Sequence, residues 1–494
     1  MQISLSIMIY TVSIAIYLFA LVGVGIYKTK MVKNSEDFMV AGRILPWYIL
    51  VGTLLATWMG SGSLFSGAGL GYRNGPAAMW SSGGAWLGIA LIYFIAKRIR
   101  NFGKVTVPDI FEIRYGRTAA VLATITTVVA YLTIVSYQFR GGGKVLSMVS
   151  DGYISLEAGI VITAVFAISY TVLAGMFSVV YTDVVNGVLM TVGVLAALVY
   201  MIYNVGGVGE IITVADQAGK WSMFGNWASE RVGDISGPII AISFFVPTML
   251  LLMGDANMYQ RIFSAKDGGS AKKAVFFWII GVIILESSIS FLGLTGSVAA
   301  EKGLMPNLVA DSQASVISEA SQLGKLPAEA DMLSARQAGS ESVIPAIAKY
   351  GGLPIVIGLL LVSTMMAIIV STADSFLLIP ATNLTRDVYQ RYINTKASEQ
   401  QIIFISRVLV LALGIIAYLL VSQFKTVLNA AFTAYNIYGA SLTPALLAAF
   451  LWKRATKEGA VASIVTGATV TIVWTYFLPS WDGFSQMHPF LQEL

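Results

Sequence analysis

The sequence predicts an all-α integral membrane protein with about twelve transmembrane helices. Apolar residues make up 56% of its 494 residues and charged residues only 12%, a balance that suits lipid better than water. Long apolar runs recur along the whole chain, and each can supply the roughly 20 residues that cross about 30 Å of hydrocarbon. The predicted spans cover residues 6–27, 45–71, 76–97, 117–149, 155–176, 178–204, 236–263, 271–300, 346–378, 402–422, 427–452 and 457–478.

The basic residues alternate between the two sides of these spans. Most of the 31 Lys and Arg residues follow the first, third, seventh, ninth and eleventh spans, with Arg261 counted among those after the seventh. The positive-inside rule then places both termini outside, in a multi-pass protein of the plasma (inner) membrane. The net charge of +5 therefore reports orientation in the bilayer, and we expect no nucleic-acid partner.

Several functional classes are excluded by composition. The chain has no cysteine, which removes disulfides, thiolate metal sites and cysteine nucleophiles. Its one histidine, His488, lies in the predicted C-terminal tail, so no acid–base set for an enzyme is evident. The first apolar stretch, from Ile3 to Tyr27, is too long for a signal peptide and is predicted to remain as a helix.

The second and seventh spans contain candidate interruptions. Residues 55–63 are followed by further glycines, and this density permits an unwound segment whose carbonyls line a cavity. Close packing of small residues between helices is the alternative explanation. The seventh span offers breaks at Pro247 and at residues 254–257. Paired interruptions in the two halves of a chain are typical of inverted-repeat transporters.

The fourth span carries two cations, Arg140 and Lys144, on one helix face with Tyr137. Arg140 lies about ten residues from the outer boundary, which at 1.5 Å per residue is ~15 Å deep. Two interpretations stay open for such residues. They form a structural ion pair or extend toward the surface, or Arg140 binds an anionic or hydroxyl-rich solute.

Acidic residues also fall inside predicted spans, where they usually mark ion or proton pathways. These are Asp183, Asp255, Glu286 and Asp374. For Glu286, beside two serines, we favour a hydrogen bond between helices. The ninth span places Ser371, Thr372, Asp374 and Ser375 on one broad face. Their oxygens suit a hard cation such as sodium.

Specific motifs give the chain a family resemblance that runs from about residue 6 to 478. The motifs are Tyr181-Thr182-Asp183-Val184-Val185, Tyr259-Gln260-Arg261 with Phe263-Ser264-Ala265-Lys266, and Ser371-Thr372-Ala373-Asp374-Ser375. The chain resembles the sodium/solute symporter family, which includes sodium/glucose, proline, sialic acid and choline transporters. Residues 56–60 are most similar to the choline transporter branch.

The resemblance implies a LeuT-type core of two inverted five-helix repeats in a single transport domain, residues 1–494. The first repeat would be 45–204 and the second 236–452, with extra helices at 6–27 and 457–478. It also implies Na⁺ as the coupling ion. The shared sodium site implied by the family consists of Ala56, Met59, Ile368, Ser371 and Thr372. A second sodium site, found in a subset of members, corresponds to Asp183, Ser371, Asp374 and Ser375.

The solute contacts implied by the family are Trp58, Ser61, Ser63, Tyr137, Arg140, Asp255 and Asn257. The expected function is sodium-coupled secondary active import of a small polar organic solute by alternating access, carried out by a monomer. Arg140 favours an organic anion or a zwitterion, since guanidinium matches a carboxylate. Choline-like cations, for which Trp58 and Tyr137 would form an aromatic cage, and sugars are the alternatives. A passive channel and a membrane sensor are alternatives of other classes.

Overall fold

The computed structural model describes residues 5–29, 34–224, 237–322, 325–327 and 329–478, and these are almost entirely helical. His488 lies outside the described residues. The α-helices are α1 (Leu5–Thr29), α2 (Ser35–Val40), α3 (Trp47–Trp58), α4 (Ala68–Asn74), α5 (Met79–Asn101), α6 (Val107–Tyr115), α7 (Arg117–Val149), α8 (Leu156–Val205), α9 (Val208–Gln217), α10 (Gly237–Gly254), α11 (Ala256–Phe263), α12 (Gly268–Glu301), α13 (Leu308–Gln322), α14 (Glu329–Ser340), α15 (Val343–Tyr350), α16 (Ile355–Asn383), α17 (Glu399–Leu420), α18 (Val427–Leu451) and α19 (Lys457–Ile472).

Ten helical segments of the described chain are long and apolar enough to cross a membrane. Two shorter apolar helices, Met8–Val24 within α1 and Trp47–Trp58, account for the remaining predicted spans. The helix of the second span is short because it is interrupted after Trp58. Large apolar side chains such as Ile16, Phe19 and Phe404 are exposed on the outer helices, as expected for surfaces that face lipid.

Both predicted interruptions are present. Helix α3 ends at Trp58, the backbone of Met59 is extended, and the chain resumes as a π-helical turn, Gly62–Gly67, before α4. Helices α10 and α11 are separated by Asp255, whose backbone is not helical and whose side chain accepts from the Asn257 amide. The predicted break at Pro247 is wrong, since α10 continues through it. Proline removes one helical hydrogen bond, and membrane helices tolerate this where neighbouring groups compensate.

The fifth and sixth predicted spans are joined in one helix, α8, that is kinked at Gly175. This glycine has φ +62° and ψ 174°, a conformation that L side chains rarely adopt. A Cβ added at Gly175 would lie 2.6 Å from Cδ2 of Phe38 in α2. The kink therefore depends on glycine, and it turns the chain so that residues 175–205 can pack against α3 and α16.

Packing places the interrupted helix α3 inside the helical bundle. Helix α16 packs against α3, α7 and α8, while α10 packs against α5 and α18. The predicted outer segment 301–345 contains the surface helices α13 and α14, and segment 205–235 contains α9. The end of α3 and the middle of α16 consequently face each other in the core.

Candidate functional site

Backbone carbonyls of the broken helix α3 meet side-chain hydroxyls of α16. Thr372 Oγ1 donates to the Met59 carbonyl at 2.9 Å and lies 3.5 Å from that of Ala56. Ser371 Oγ lies 3.4 Å from the Ala56 carbonyl oxygen. All four residues are buried. Carbonyls that the interruption frees from helical hydrogen bonding are therefore gathered with two hydroxyls at one point.

This oxygen set has the chemistry that a hard monovalent cation requires. Its donors are carbonyl and hydroxyl oxygens, as in the coordination of sodium by unwound helices in transporters. Ile368 is buried one turn before Thr372 on α16. The close approach depends on Gly60, because a Cβ there would lie 3.0 Å from Cγ2 of Thr372. Four residues of the predicted shared set, Ala56, Met59, Ser371 and Thr372, thus lie together in the structure.

The residues of the second predicted set also lie together. Ser371 Oγ donates to Asp183 Oδ1 at 2.6 Å, and Ser375 Oγ donates to Asp374 Oδ1 at 3.1 Å. Ser371 belongs to both sets and connects them. The structure places a further residue among these groups, which is the guanidinium of Arg261 in α11.

Arg261 is fully buried, so its assignment to a basic loop is wrong. Its Nη2 contacts Asp183 Oδ2 at 3.2 Å and donates to Ser375 Oγ at 2.6 Å. Its Nε donates to Thr53 Oγ1 at 2.9 Å, and Nη1 donates to Asn257 Oδ1 at 3.2 Å. Charge pairing, which hydropathy does not detect, explains this burial. The sequence signal for this burial is that Arg261 comes only a few residues after the interruption at residues 254–257 of the same span.

Two neighbouring cavities adjoin the first set, and both are lined by Trp58, Gly62, Ser63 and Tyr435. We refer to them together as the Trp58 cavity. The larger leaves only about 30 Å³ of space for water-sized molecules, well below the roughly 300–1,000 Å³ typical of small-molecule sites, so the cavity is nearly closed in this structure. The smaller also touches Tyr137 and Thr372, so a residue of the oxygen set forms part of the cavity wall.

The other predicted solute contacts lie elsewhere. Ser61 is held by its amide, which donates to Gln138 Oε1 at 2.8 Å. Asp255 accepts from Tyr131 Oη and from the Asn257 amide, while Asn257 accepts from Arg261. These contacts stabilise the two interruptions, and neither cavity is lined by Asp255 or Asn257.

Arg140 is directed away from the Trp58 cavity. Its Nη2 donates to the Val421 carbonyl at 3.0 Å, and Nη1 lies 3.5 Å from the Lys425 carbonyl oxygen. Lys144 forms a structural ion pair with the buried Glu341 at 2.5 Å. Arg140 therefore extends toward carbonyls outside the cavity, and Lys144 forms a structural ion pair, as the first of the two interpretations predicts.

The acidic residue that does reach the cavity is Glu286 of α12. Trp58 Nε1 donates to its Oε1 at 2.8 Å, and Trp86 Nε1 of α5 donates to its Oε2 at 2.9 Å. The predicted hydrogen bond between helices is confirmed. Sequence reasoning missed the position of Glu286 in the cavity wall, together with Gln138 and Tyr435, which carry no distinguishing sequence signal.

The sequence is similar over most of its length to a known family of membrane transporters. The model of the sodium:solute symporter family matches residues 38–467. The osmoregulated proline transporter OpuE of Bacillus subtilis (strain 168) is 24% identical over 475 residues, covering 94% of this chain and 88% of that protein. The sodium/proline symporter of Escherichia coli (strain K12) is 25% identical over 492 residues, covering 97% and 89%.

Solved structures show the same fold. The outward-open, substrate-bound structure of a Na⁺-coupled sialic acid symporter superposes with a TM-score of 0.76 at 20% identity, covering 95% of this chain and 92% of that one. The closed structure of Mhp1, a nucleobase-cation-symport-1 family transporter, gives 0.51 at 14% identity, covering 88% and 93%. The LeuT-type fold is thereby confirmed, and the relatives are transporters, not enzymes. With the family model covering most of its length, this chain belongs to the sodium:solute symporter family.

Proposed function

We propose that this protein is a sodium-coupled secondary active symporter that imports a small polar organic solute by alternating access. The observation that carries the proposal is the meeting of the Ala56 and Met59 carbonyls with the hydroxyls of Ser371 and Thr372. Family membership and the sodium/proline symporters among its relatives support sodium as the coupling ion.

The shared sodium site consists of Ala56, Met59, Ile368, Ser371 and Thr372. These residues belong to two helices that are separate in sequence, so a bound ion holds α3 and α16 in one relative position. Sodium drives transport only if it binds one conformation more tightly than the other, because differential affinity is all that it contributes. Thr372 belongs to the shared sodium site and also lines the Trp58 cavity. This position couples ion binding to solute binding.

A second sodium ion would bind at Asp183, Ser371, Asp374 and Ser375, next to Arg261. The two carboxylates carry two formal negative charges and the guanidinium one positive charge. An additional monovalent cation makes this buried group neutral, which favours its binding where the dielectric is low. Arg261 and sodium then share Asp183 and Ser375 as partners.

The solute binds in the Trp58 cavity, whose wall includes Trp58, Ser63 and Tyr137. A zwitterion agrees with the relatives named as proline transporters. The aromatic wall favours the alternative of a choline-like cation. Recognition of a carboxylate would not involve Arg140, whose guanidinium contacts the carbonyls of Val421 and Lys425.

We infer that both termini lie outside an inner membrane and that the protein works as a monomer in the bilayer, with no nucleic-acid partner. The excess of basic residues in alternate loops supports this orientation. Removal of Arg261 from the inner loops does not reverse the excess.

Uptake into proteoliposomes tests the function. We expect L-proline or choline to accumulate above the outside concentration under an inward sodium gradient, and not under an equal potassium gradient. Equilibration without accumulation would indicate a passive channel, and no flux of any probe with sodium would favour a sensor. Either result would contradict the proposal.

A further inference from the structure

Glu286 places a carboxylate in the wall of the Trp58 cavity. The residue is 5% exposed, and its neighbours in the wall include Ser63, Ser82 and Tyr435. Trp58 and Trp86 each donate an indole N–H to a different carboxylate oxygen, and Ser63 Oγ lies 3.5 Å from Oε1. Indole nitrogen can only donate, so both oxygens of Glu286 act as acceptors.

All of these partners are neutral. Among the residues that the structure describes, no Lys, Arg or His forms an ion pair with Glu286. An ionised carboxylate in the membrane interior is costly unless a positive charge accompanies it. Two other deeply buried acids do have such a partner, as Asp183 has Arg261 and Glu341 has Lys144, whereas the hydrogen-bond partners of Asp255 are neutral, as those of Glu286 are. A positive charge that enters the cavity would therefore stabilise the ionised form of Glu286.

The same cavity presents aromatic rings to its contents. Trp58 and Tyr435 have ring centroids 6.4 Å apart with planes inclined by 31°, and Phe432 lies 5.5 Å from Tyr435. The faces of such rings attract cations, and aromatic walls combined with a carboxylate are suited to ammonium groups. The indole N–H of Trp58 is directed to Glu286, which fixes the ring beside the acid.

We propose that Glu286 binds a positively charged nitrogen of the transported solute. The proposal rests on the symporter function and narrows its substrate class to amines, quaternary ammonium compounds and zwitterions. The ammonium lies against the carboxylate and the Trp58 and Tyr435 rings. Neutral sugars and solutes that are only anionic leave Glu286 without a counter-charge and are excluded.

Charged solutes and their carbon isosteres separate this proposal from simple shape recognition. The purified full chain is heated in sodium chloride with choline or L-proline, and in parallel with 3,3-dimethyl-1-butanol or cyclopentanecarboxylate. These analogues replace the charged nitrogen by carbon. We expect thermal stabilisation by at least one of the charged compounds and none by its isostere, because ligands stabilise the state that they bind. Equal stabilisation by both members of a pair, or no response to any charged nitrogen, overturns the proposal.

Glu286→Gln tests the residue directly, since glutamine keeps the size and one acceptor oxygen but removes the charge. We expect the apparent Kd of the responding amine to rise roughly 10- to 100-fold, as for loss of a charge-assisted contact. Glu286→Asp keeps the charge and is expected to retain selectivity for amines. Glu157→Gln, at an exposed position at the start of α8, is the matched control and should bind as the wild type does.

Unchanged amine affinity in Glu286→Gln would overturn the assignment. The sodium response of the wild type distinguishes failure of the proposed symporter function from failure of the role given to Glu286. If sodium itself does not stabilise the protein relative to potassium, the proposed function fails. If sodium stabilises it but charged and uncharged solutes are not distinguished, only the role of Glu286 fails.

Discussion

Thr372 Oγ1 donates a 2.9 Å hydrogen bond to the carbonyl of Met59, a residue 313 positions earlier in the chain. Met59 directly follows the last residue of α3, and Thr372 lies within the continuous helix α16. Both are buried, so this contact joins the two helices through polar atoms without water. Any movement of α3 relative to α16 during transport has to break or rearrange it.

Thr372→Ala should weaken sodium binding by roughly tenfold or more, because loss of one buried oxygen ligand costs about 1–3 kcal/mol. The measurement is a sodium titration of intrinsic tryptophan fluorescence. Thr171→Ala is the matched control, since the Thr171 hydroxyl is also buried but bonds only to the Ala167 carbonyl in its own helix. Equal sodium affinity in the two variants would remove Thr372 from the site.

Asp183→Asn and Asp374→Asn should differ in stability. Asp183 pairs directly with Arg261, and breaking a buried pair costs about 3–5 kcal/mol. Asp374→Asn leaves that pair intact and makes the group neutral without sodium, so it should unfold at a temperature close to that of the wild type. Thermal unfolding in potassium chloride measures this difference. A larger loss in Asp374→Asn would contradict the role given to Arg261.

The same two variants test the second sodium ion through stoichiometry. Neither should need an extra cation for charge balance, so each should transport one sodium ion fewer per solute. The reversal potential of transport current measures this ratio, and an unchanged potential in both variants would refute the second site.

Gly175→Ala should destabilise the protein, because a Cβ there would meet Phe38 at 2.6 Å and the backbone has φ +62°. Strain of this type costs about 1–3 kcal/mol. Gly209→Ala provides the control, as nothing lies within 4 Å of the added Cβ and its φ is not positive. Thermal unfolding of both variants is the test, and equal midpoints would show that the kink does not require glycine.

Lys144 and Glu341 should show strong coupling in a double-mutant cycle. Glu341 also accepts from the amides of Val427 and Leu428 at the start of α18, so the pair joins α7 to the N-terminal end of that helix. Lys144→Met leaves a buried charge without its partner, and Glu341→Gln weakens the cap of α18. The double variant should therefore be less destabilised than the sum of the two single variants. Additive unfolding free energies would contradict this.

Hydropathy and charge predicted most of the helices because each has to cross the same apolar layer. The interruptions at Met59 and Asp255 were also predictable, since glycine density and a buried acid disfavour a continuous helix there. Pro247 was misleading, as one missing amide does not end a membrane helix.

Side-chain direction was much less predictable. The depth of Arg140 was estimated from its backbone position, but a long side chain carries its charge several ångströms along the helix, here to the carbonyl of Val421. Arg261 is inside because of Asp183, a partner 78 residues away, and the cavity position of Glu286 depends on indoles of two other helices. Such pairings are set by tertiary packing, which a single sequence does not encode in its local pattern.

Sodium-specific stabilisation of purified Ser371→Ala is the most direct test of the central claim, that oxygens of α3 and α16 bind one ion. The wild type should unfold at a higher temperature in sodium chloride than in potassium chloride, and Ser371→Ala should lose that difference. Ser288→Ala, whose wild-type hydroxyl bonds only to the Ile284 carbonyl in its own helix, should keep it. A full sodium response in Ser371→Ala would contradict the account.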